Sequence, residues 1–156
     1  MGEVVTQEEI IKIVRAGQNE GKTFAATNGC FDIIHVGHIR YLKKTKSFAD
    51  YCIVMLNSDS SVKMLKGEDR PINNQNDRAE LLTSLSCVDY VVLFEERSPA
   101  KLLAEIKPDV YTKGADYTLE SLPERDVVEK NNIRVEFIEF VQGKSTTNVI
   151  NKINGK

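Results

Sequence analysis

Asn28-Gly29-Cys30-Phe31-Asp32-Ile33-Ile34-His35-Val36-Gly37-His38 is the stretch on which the fold turns. Thr23 to Thr27, just before it, reads as a short buried strand. A helix is predicted to start near His35 to Gly37, with Ile39, Tyr41 and Leu42 inward and Arg40, Lys43, Lys44 and Lys46 toward solvent. Tyr51 to Leu56 follows as a continuous apolar run, too short for most helices and rich in strand formers, hence a second buried strand. Further strands are predicted at Tyr90 to Phe94, Val110 to Thr112 and Arg134 to Phe140. Thr6 followed by Glu9 is a capping-box pattern ahead of Ile10, Ile11, Ile13 and Val14, in a first helix ending near Gly21. Asn76 to Leu85 has helical spacing, and Ser98-Pro99 offers an N-cap and a first-turn proline before Leu102, Leu103 and Ile106. Ser121 to Glu124 repeats the capping-box pattern. Ser145 or Thr146 can cap a last helix through Val149, Ile150 and Ile153. Strands alternating with helices predict a doubly wound α/β fold, a single domain over 1–156 with a five-stranded, mainly parallel sheet.

Composition narrows the function classes. A chain of 156 residues with 41% apolar content supplies one ordinary core. Twenty-one basic against 23 acidic residues leave a net charge of −2, so no general attraction to nucleic acid or anionic lipid is expected and phosphate binding must come from local placement. No apolar run approaches the roughly 20 residues of a membrane span, and the first residues lack the basic and apolar regions of a signal peptide, so a cytoplasmic protein is expected. Cys30, Cys52 and Cys87 form no CxxC pair and read as reduced thiols.

In an alternating sheet of this kind ligands sit outside the carboxyl ends of the strands, where strand order reverses. Asn28 to His38 occupies such an edge. Gly29 permits a close turn after the strand, and Gly37 lets a phosphate approach the first helical turn, whose free N–H groups favour anions. His35 and His38, three apart, project on one side of that turn. Two imidazoles there can donate to non-bridging oxygens as charge builds on a phosphorus under attack. Taken singly, each histidine reads as a helix cap or a satisfied core residue. The chain has only two histidines, and their pairing beside a glycine turn favours the functional reading. A shared zinc ion needs a further ligand, with only Asp32 and Cys30 near in sequence. Gly143-Lys144-Ser145 imitates the end of a P-loop, but Ile138 stands where that motif needs glycine.

The segment TNGCFDIIHVGHIRYL at 27–42 resembles the cytidylyltransferase-like family, and within it the heptose 1-phosphate adenylyltransferase branch. The likeness continues in NSDSSVKMLKGEDRPI at 57–72, NDRAELL at 76–82, VDYVVLFEE at 88–96, KPDVYTKGADY at 107–117 and KSTTNVINKI at 144–153. HxGH alone marks the superfamily; LKGxxRP, TKGxDY and STTNxI together are far more specific.

The resemblance implies a Rossmann-like domain that transfers AMP from ATP to D-glycero-β-D-manno-heptose 1-phosphate and releases pyrophosphate, in surface-sugar precursor synthesis. Mg²⁺ is the implied cofactor, bridging triphosphate oxygens with few protein ligands, and a homodimer is the implied assembly. His35, His38 and Lys66 are carried over as catalytic. Asn28, Gly29, Cys30, Phe31, Asp32 and Gly37 join the histidines around the nucleotide, with Lys113, Gly114 and Asp116 after a later strand and Ser145, Thr146 and Thr147 at the last helix. Lys66, Arg70 and Arg78 are the implied ligands of substrate phosphate, Lys66 and Arg70 on a loop that follows the second βα unit. Relatives with the same turn act on glycerol 3-phosphate with CTP or on FMN with ATP, and a non-catalytic nucleotide-binding module is the rival of another class. Ala115 and Ala49 stand where heptose enzymes often carry glycine, and a methyl at 115 would narrow the acceptor pocket. Members are often fused to a sugar kinase domain, for which 156 residues leave no room.

Overall fold

Thr6 opens the first long helix as its sequence predicts. Its hydroxyl accepts from the Glu9 amide while the Glu9 carboxylate accepts from the Thr6 amide, both at 3.1 Å, so two otherwise orphaned donors are satisfied. The computed structural model describes residues 1–139 and 146–155, without the side chain of Thr146. In chain order the elements are β1 (Glu3–Val5), α1 (Gln7–Asn19), β2 (Phe24–Gly29), α2 (Val36–Ser47), β3 (Tyr51–Asn57), α3 (Asp59–Lys66), α4 (Gln75–Thr83), β4 (Tyr90–Phe94), α5 (Ala100–Ile106), β5 (Val110–Gly114), α6 (Arg125–Lys130), β6 (Arg134–Ile138) and α7 (Thr146–Ile153).

The strands form one sheet in the order β1-β4-β3-β2-β5-β6, with every pairing parallel. Strand order reverses between β2 and β5: from β2 the chain builds toward β3 and β4, then returns to lay β5 on the other side. Period two divides the core. Ile53 and Met55 of β3 face one layer with Ile10, Val14, Leu103 and Ile106, while Cys52, Val54 and Leu56 face the other with Leu42, Ala79 and Leu82. Helices therefore cover both faces, as expected for a parallel sheet.

Several sequence expectations need correction. The sheet has six strands rather than five, because Glu3–Val5 pairs with Tyr90–Val92 at an edge. Three residues, of which only Val5 is buried, carry no periodic signal. Lys66 closes α3 instead of lying in a loop, and Gly67 ends that helix at φ 101°. Ser121 does not cap α6. Its hydroxyl accepts from the Thr118 amide, and Glu124 holds the N-cap position without a side-chain cap. Pro99, rather than Ser98, is the N-cap of α5, with the Ser98 hydroxyl accepting from the Ala100 amide. The cap expected at Ser145 or Thr146 lies outside the described residues.

Candidate active site

The turn between β2 and α2 is built tightly. A Cβ on Gly29 would lie 2.8 Å from the Phe31 ring, and Phe31 itself adopts φ 47°, in the left-handed region that a bulky residue rarely occupies. Strain of that kind survives only where the surroundings fix it. His35 is the N-cap of α2, and its Nδ1 accepts from the Gly37 amide at 3.1 Å; the Nδ1 of His38 accepts from the His35 amide at 3.2 Å. The two histidines thus form a reciprocal cap, with rings stacked at 4.0 Å. An Nδ1 that accepts a backbone hydrogen bond places the proton of a neutral ring on Nε2. Burial, reinforced by His35 alongside, pulls the His38 pKa down to about 4. His38 is therefore a neutral hydrogen-bond donor at pH 7.

Asp32, expected among the nucleotide-binding residues, also anchors a loop. It is buried, and its carboxylate accepts from the amides of Ile72 (2.8 and 2.9 Å) and Asn73 (2.9 Å) and from Arg70 Nε (2.9 Å). Burial opposes its ionisation, but those amides and the guanidinium outweigh it and hold the carboxyl below the usual range. Asp32 thereby fastens the polar loop after α3 to the β2–α2 turn and orients Arg70 beside the site. Arg78, expected to meet a substrate phosphate, lies beneath the floor. It is fully buried and donates to the carbonyls of Cys30, Asn57 and Asn73 and to the Asp59 carboxylate. Its role in the structure is to tie the turn, the end of β3 and the loop together.

These elements enclose a cavity of about 770 Å³ at the carboxyl edge of the sheet, within the usual range for small-molecule sites. Asn28, Gly29, Cys30 and Phe31 line it together with Asp32, His35, Gly37 and His38. Lys66 and Arg70 stand on the β3 side, and Lys113, Gly114 and Asp116 on the β5 side. Thr147, exposed at the start of α7, lines it as well, whereas Ser145 lies outside the described residues. Ala115 is exposed and does not line the cavity, so the structure gives its methyl no part in narrowing the pocket. Burial raises the Cys30 thiol above its ordinary range despite Lys66, Arg78 and Arg70 nearby, so Cys30 contributes a neutral wall.

Among the contributors that sequence reading missed, three bear on the chemistry. Arg97 lines the cavity from the loop after β4; its position just past a parallel strand was the available signal, since every such loop opens on the same edge. Tyr111 donates to Asn28 Oδ1 at 2.5 Å, and burial, then the Glu124 charge, raises its pKa well above the ordinary tyrosine value. Glu124, from the connection to α6, reaches Lys113 at 3.6 Å, and its spacing from Ser121 pointed to a helix cap rather than to the cavity. Among the described residues no three or more His, Cys, Asp or Glu side chains are placed to hold a metal ion.

Comparison with known proteins matches the description Cytidylyltransferase-like to residues 26–152. The chain belongs to the cytidylyltransferase-like family. Its curated relatives include the Bifunctional protein HldE of Geobacter metallireducens, 50% identical over 141 residues, covering 90% of this chain and 29% of that protein. The protein of the same name from Aliarcobacter butzleri is 51% identical over 150 residues, covering 96% and 31%. This cytidylyltransferase-like chain thus spans about three-tenths of the length of those relatives. Among solved structures, a lipopolysaccharide core biosynthesis protein from Thermoplasma volcanium superposes with a TM-score of 0.61 at 31% identity, covering 80% of this chain and all of that one. The family expected from the turn and its companion motifs is the family found, and the matched span contains every described residue that lines the cavity.

Proposed function

We propose that this chain transfers AMP from ATP to D-glycero-β-D-manno-heptose 1-phosphate, forming ADP-heptose and releasing pyrophosphate. The observation that carries the reading is the reciprocally capped pair His35 and His38 on the wall of a cavity that also holds Lys66, Arg70, Arg97 and Lys113. Identity near 50% with proteins named HldE, over nine-tenths of the chain, supports it. In this reading an oxygen of the sugar phosphate attacks the α-phosphorus in line. The new P–O bond forms as the bond to the β-phosphate oxygen breaks, and pyrophosphate leaves with that electron pair. The nucleophile is already an anion, so no general base is needed.

The protein's work is placement and charge. Neutral imidazole N–H groups stabilise the α-phosphoryl oxygens without attracting a bystander anion as a full charge would. Lys66 and Arg70 neutralise the phosphates, and Arg97 joins them from the next loop. The Asp32 carboxylate is engaged by Ile72, Asn73 and Arg70, so the protein would offer Mg²⁺ few ligands; held by the triphosphate, the ion would supply charge neutralisation at the phosphate oxygens. A matrix of the four nucleoside triphosphates against heptose 1-phosphate anomers, glycerol 3-phosphate and FMN tests the reading. The expected result is pyrophosphate release with ATP and the β-heptose 1-phosphate. Release only with CTP and glycerol 3-phosphate, or only with FMN, overturns the assignment of substrates. Release in none of the pairs, with nucleotide still bound, favours a non-catalytic module.

A further inference from the structure

The cavity has two unlike flanks. On the β3 and β4 side stand Lys66, Arg70 and Arg97, suited to phosphates. On the β5 side Lys113, the one cation there among the described residues, lies beside a carboxylate: its Nζ is 3.6 Å from Glu124 Oε1, 3.4 Å from Asn28 Oδ1 and 3.5 Å from the Tyr111 hydroxyl. Glu124 lines the cavity, is only 2% exposed, and its second oxygen, Oε2, has no hydrogen-bond partner among the described residues. A buried carboxylate oxygen left in that condition is costly unless water or a ligand completes it, and this one faces a cavity that a ligand can enter. An ionised carboxylate only accepts. A phosphate oxygen brings it no proton and is repelled by its charge, so the ligand group that meets Oε2 is a neutral or cationic donor.

We infer that Glu124 is a substrate-recognition residue whose Oε2 accepts a hydrogen bond from a sugar hydroxyl of a bound substrate. The inference rests on the substrates proposed above. In both of them the donors closest to phosphorus are hydroxyls on the sugar ring attached to it, the ribose of the nucleotide or the acceptor sugar. Lys113 and Asn28 link Glu124 directly to the end of β2, one residue before the glycine that opens the catalytic turn, so a hydroxyl rather than a distant base amine is the group within reach. Lys113 keeps the carboxylate compatible with a phosphate-binding cavity by neutralising it from below.

The test couples protein to ligand. Calorimetry would measure the affinity of wild type, Glu124→Gln and Glu124→Ala for ATP, 2′-deoxy-ATP and 3′-deoxy-ATP, and for heptose 1-phosphate and its 2-deoxy analogue, with thermal unfolding to confirm that each variant folds. In wild type, deletion of the recognised hydroxyl should weaken binding roughly 10- to 100-fold. In Glu124→Ala the same deletion should change affinity less than about threefold, with Glu124→Gln, which keeps one acceptor oxygen, between the two. A loss confined to the deoxy-ATP arm names the ribose, and one confined to the sugar arm names the acceptor. Glu124→Ala that loses as much as wild type for every deletion overturns the inference, because a carboxylate serving only to neutralise Lys113 would not couple to a hydroxyl. Wild type that binds the ligands with this coupling but releases no pyrophosphate overturns the functional reading alone. Wild type that binds neither ligand overturns both.

Discussion

His38 joins a helix cap to a perturbed titration in one side chain. Its pKa, lowered to about 4 by burial and by His35, lies below that of a histidine in the unfolded chain. Protonation therefore favours the unfolded state between these values: this contribution to stability is complete above about pH 6.5 and declines as pH falls toward 4. Melting temperatures followed from pH 7.5 to 4.5 should fall less steeply for His38→Asn than for wild type. If the proposed reaction holds, the same variant should lose turnover by about 100-fold or more in pyrophosphate release, since it removes the donor assigned there to developing charge. Arg78 makes the opposite case, a charged residue whose importance is mechanical. Arg78→Met would leave the carbonyls of Cys30, Asn57 and Asn73 without their donor and Asp59 without its partner. We expect a loss of about 3–5 kcal/mol in urea unfolding; a loss below about 1 kcal/mol would show that water replaces the guanidinium freely.

At the level of elements, caps and caged loops decide where side chains arrive. Thr6 and Glu9 fix α1 by a local device that sequence spacing reveals, and Thr6→Ala should cost about 1 kcal/mol by the same unfolding measurement. The cap of α2 uses the same geometry with different residues. His35 and His38 stand where threonine and glutamate would, so their rings are held by the helix end itself, the preorganisation that the proposed phosphoryl chemistry needs. Behind this helix, Thr27, Tyr41, Thr45 and Thr112 share hydroxyl hydrogen bonds at 2.9 to 3.4 Å that tie α2 to β2 and β5. The loop after α3 is caged by Asp32 from the preceding βα turn, which turns a polar stretch without periodicity into an ordered wall carrying Arg70. Legibility follows from this difference: Thr6 and Glu9 meet within three positions, whereas Asp32 and Asn73 meet across forty-one.

On the scale of the whole molecule, a chain of net charge −2 gathers Lys66, Arg70, Arg97 and Lys113 around one cavity. Attraction of a polyanion is local and subject to screening, with a Debye length near 10 Å at 0.1 M salt. The dissociation constant for Mg²⁺–ATP should rise several-fold between 50 and 500 mM NaCl in calorimetry, and Arg97→Ala should flatten that dependence. An unchanged slope in the variant would remove Arg97 from the phosphate site. The sequence by itself determined the alternation of strands and helices, the parallel sheet, the glycine turn with its two histidines and the family, because each is encoded in residues a few positions apart. Only the tertiary structure decided that β1 adds a sixth strand, that Arg78 and Asp32 brace the floor and the loop, and that Glu124 faces the cavity. Those facts depend on hydrogen bonds and burial between segments tens of residues apart, which periodicity does not record. The turn beginning at Asn28 was legible because its histidines cap their own helix; the rest of the site had to wait for the sheet to bring β5 beside β2.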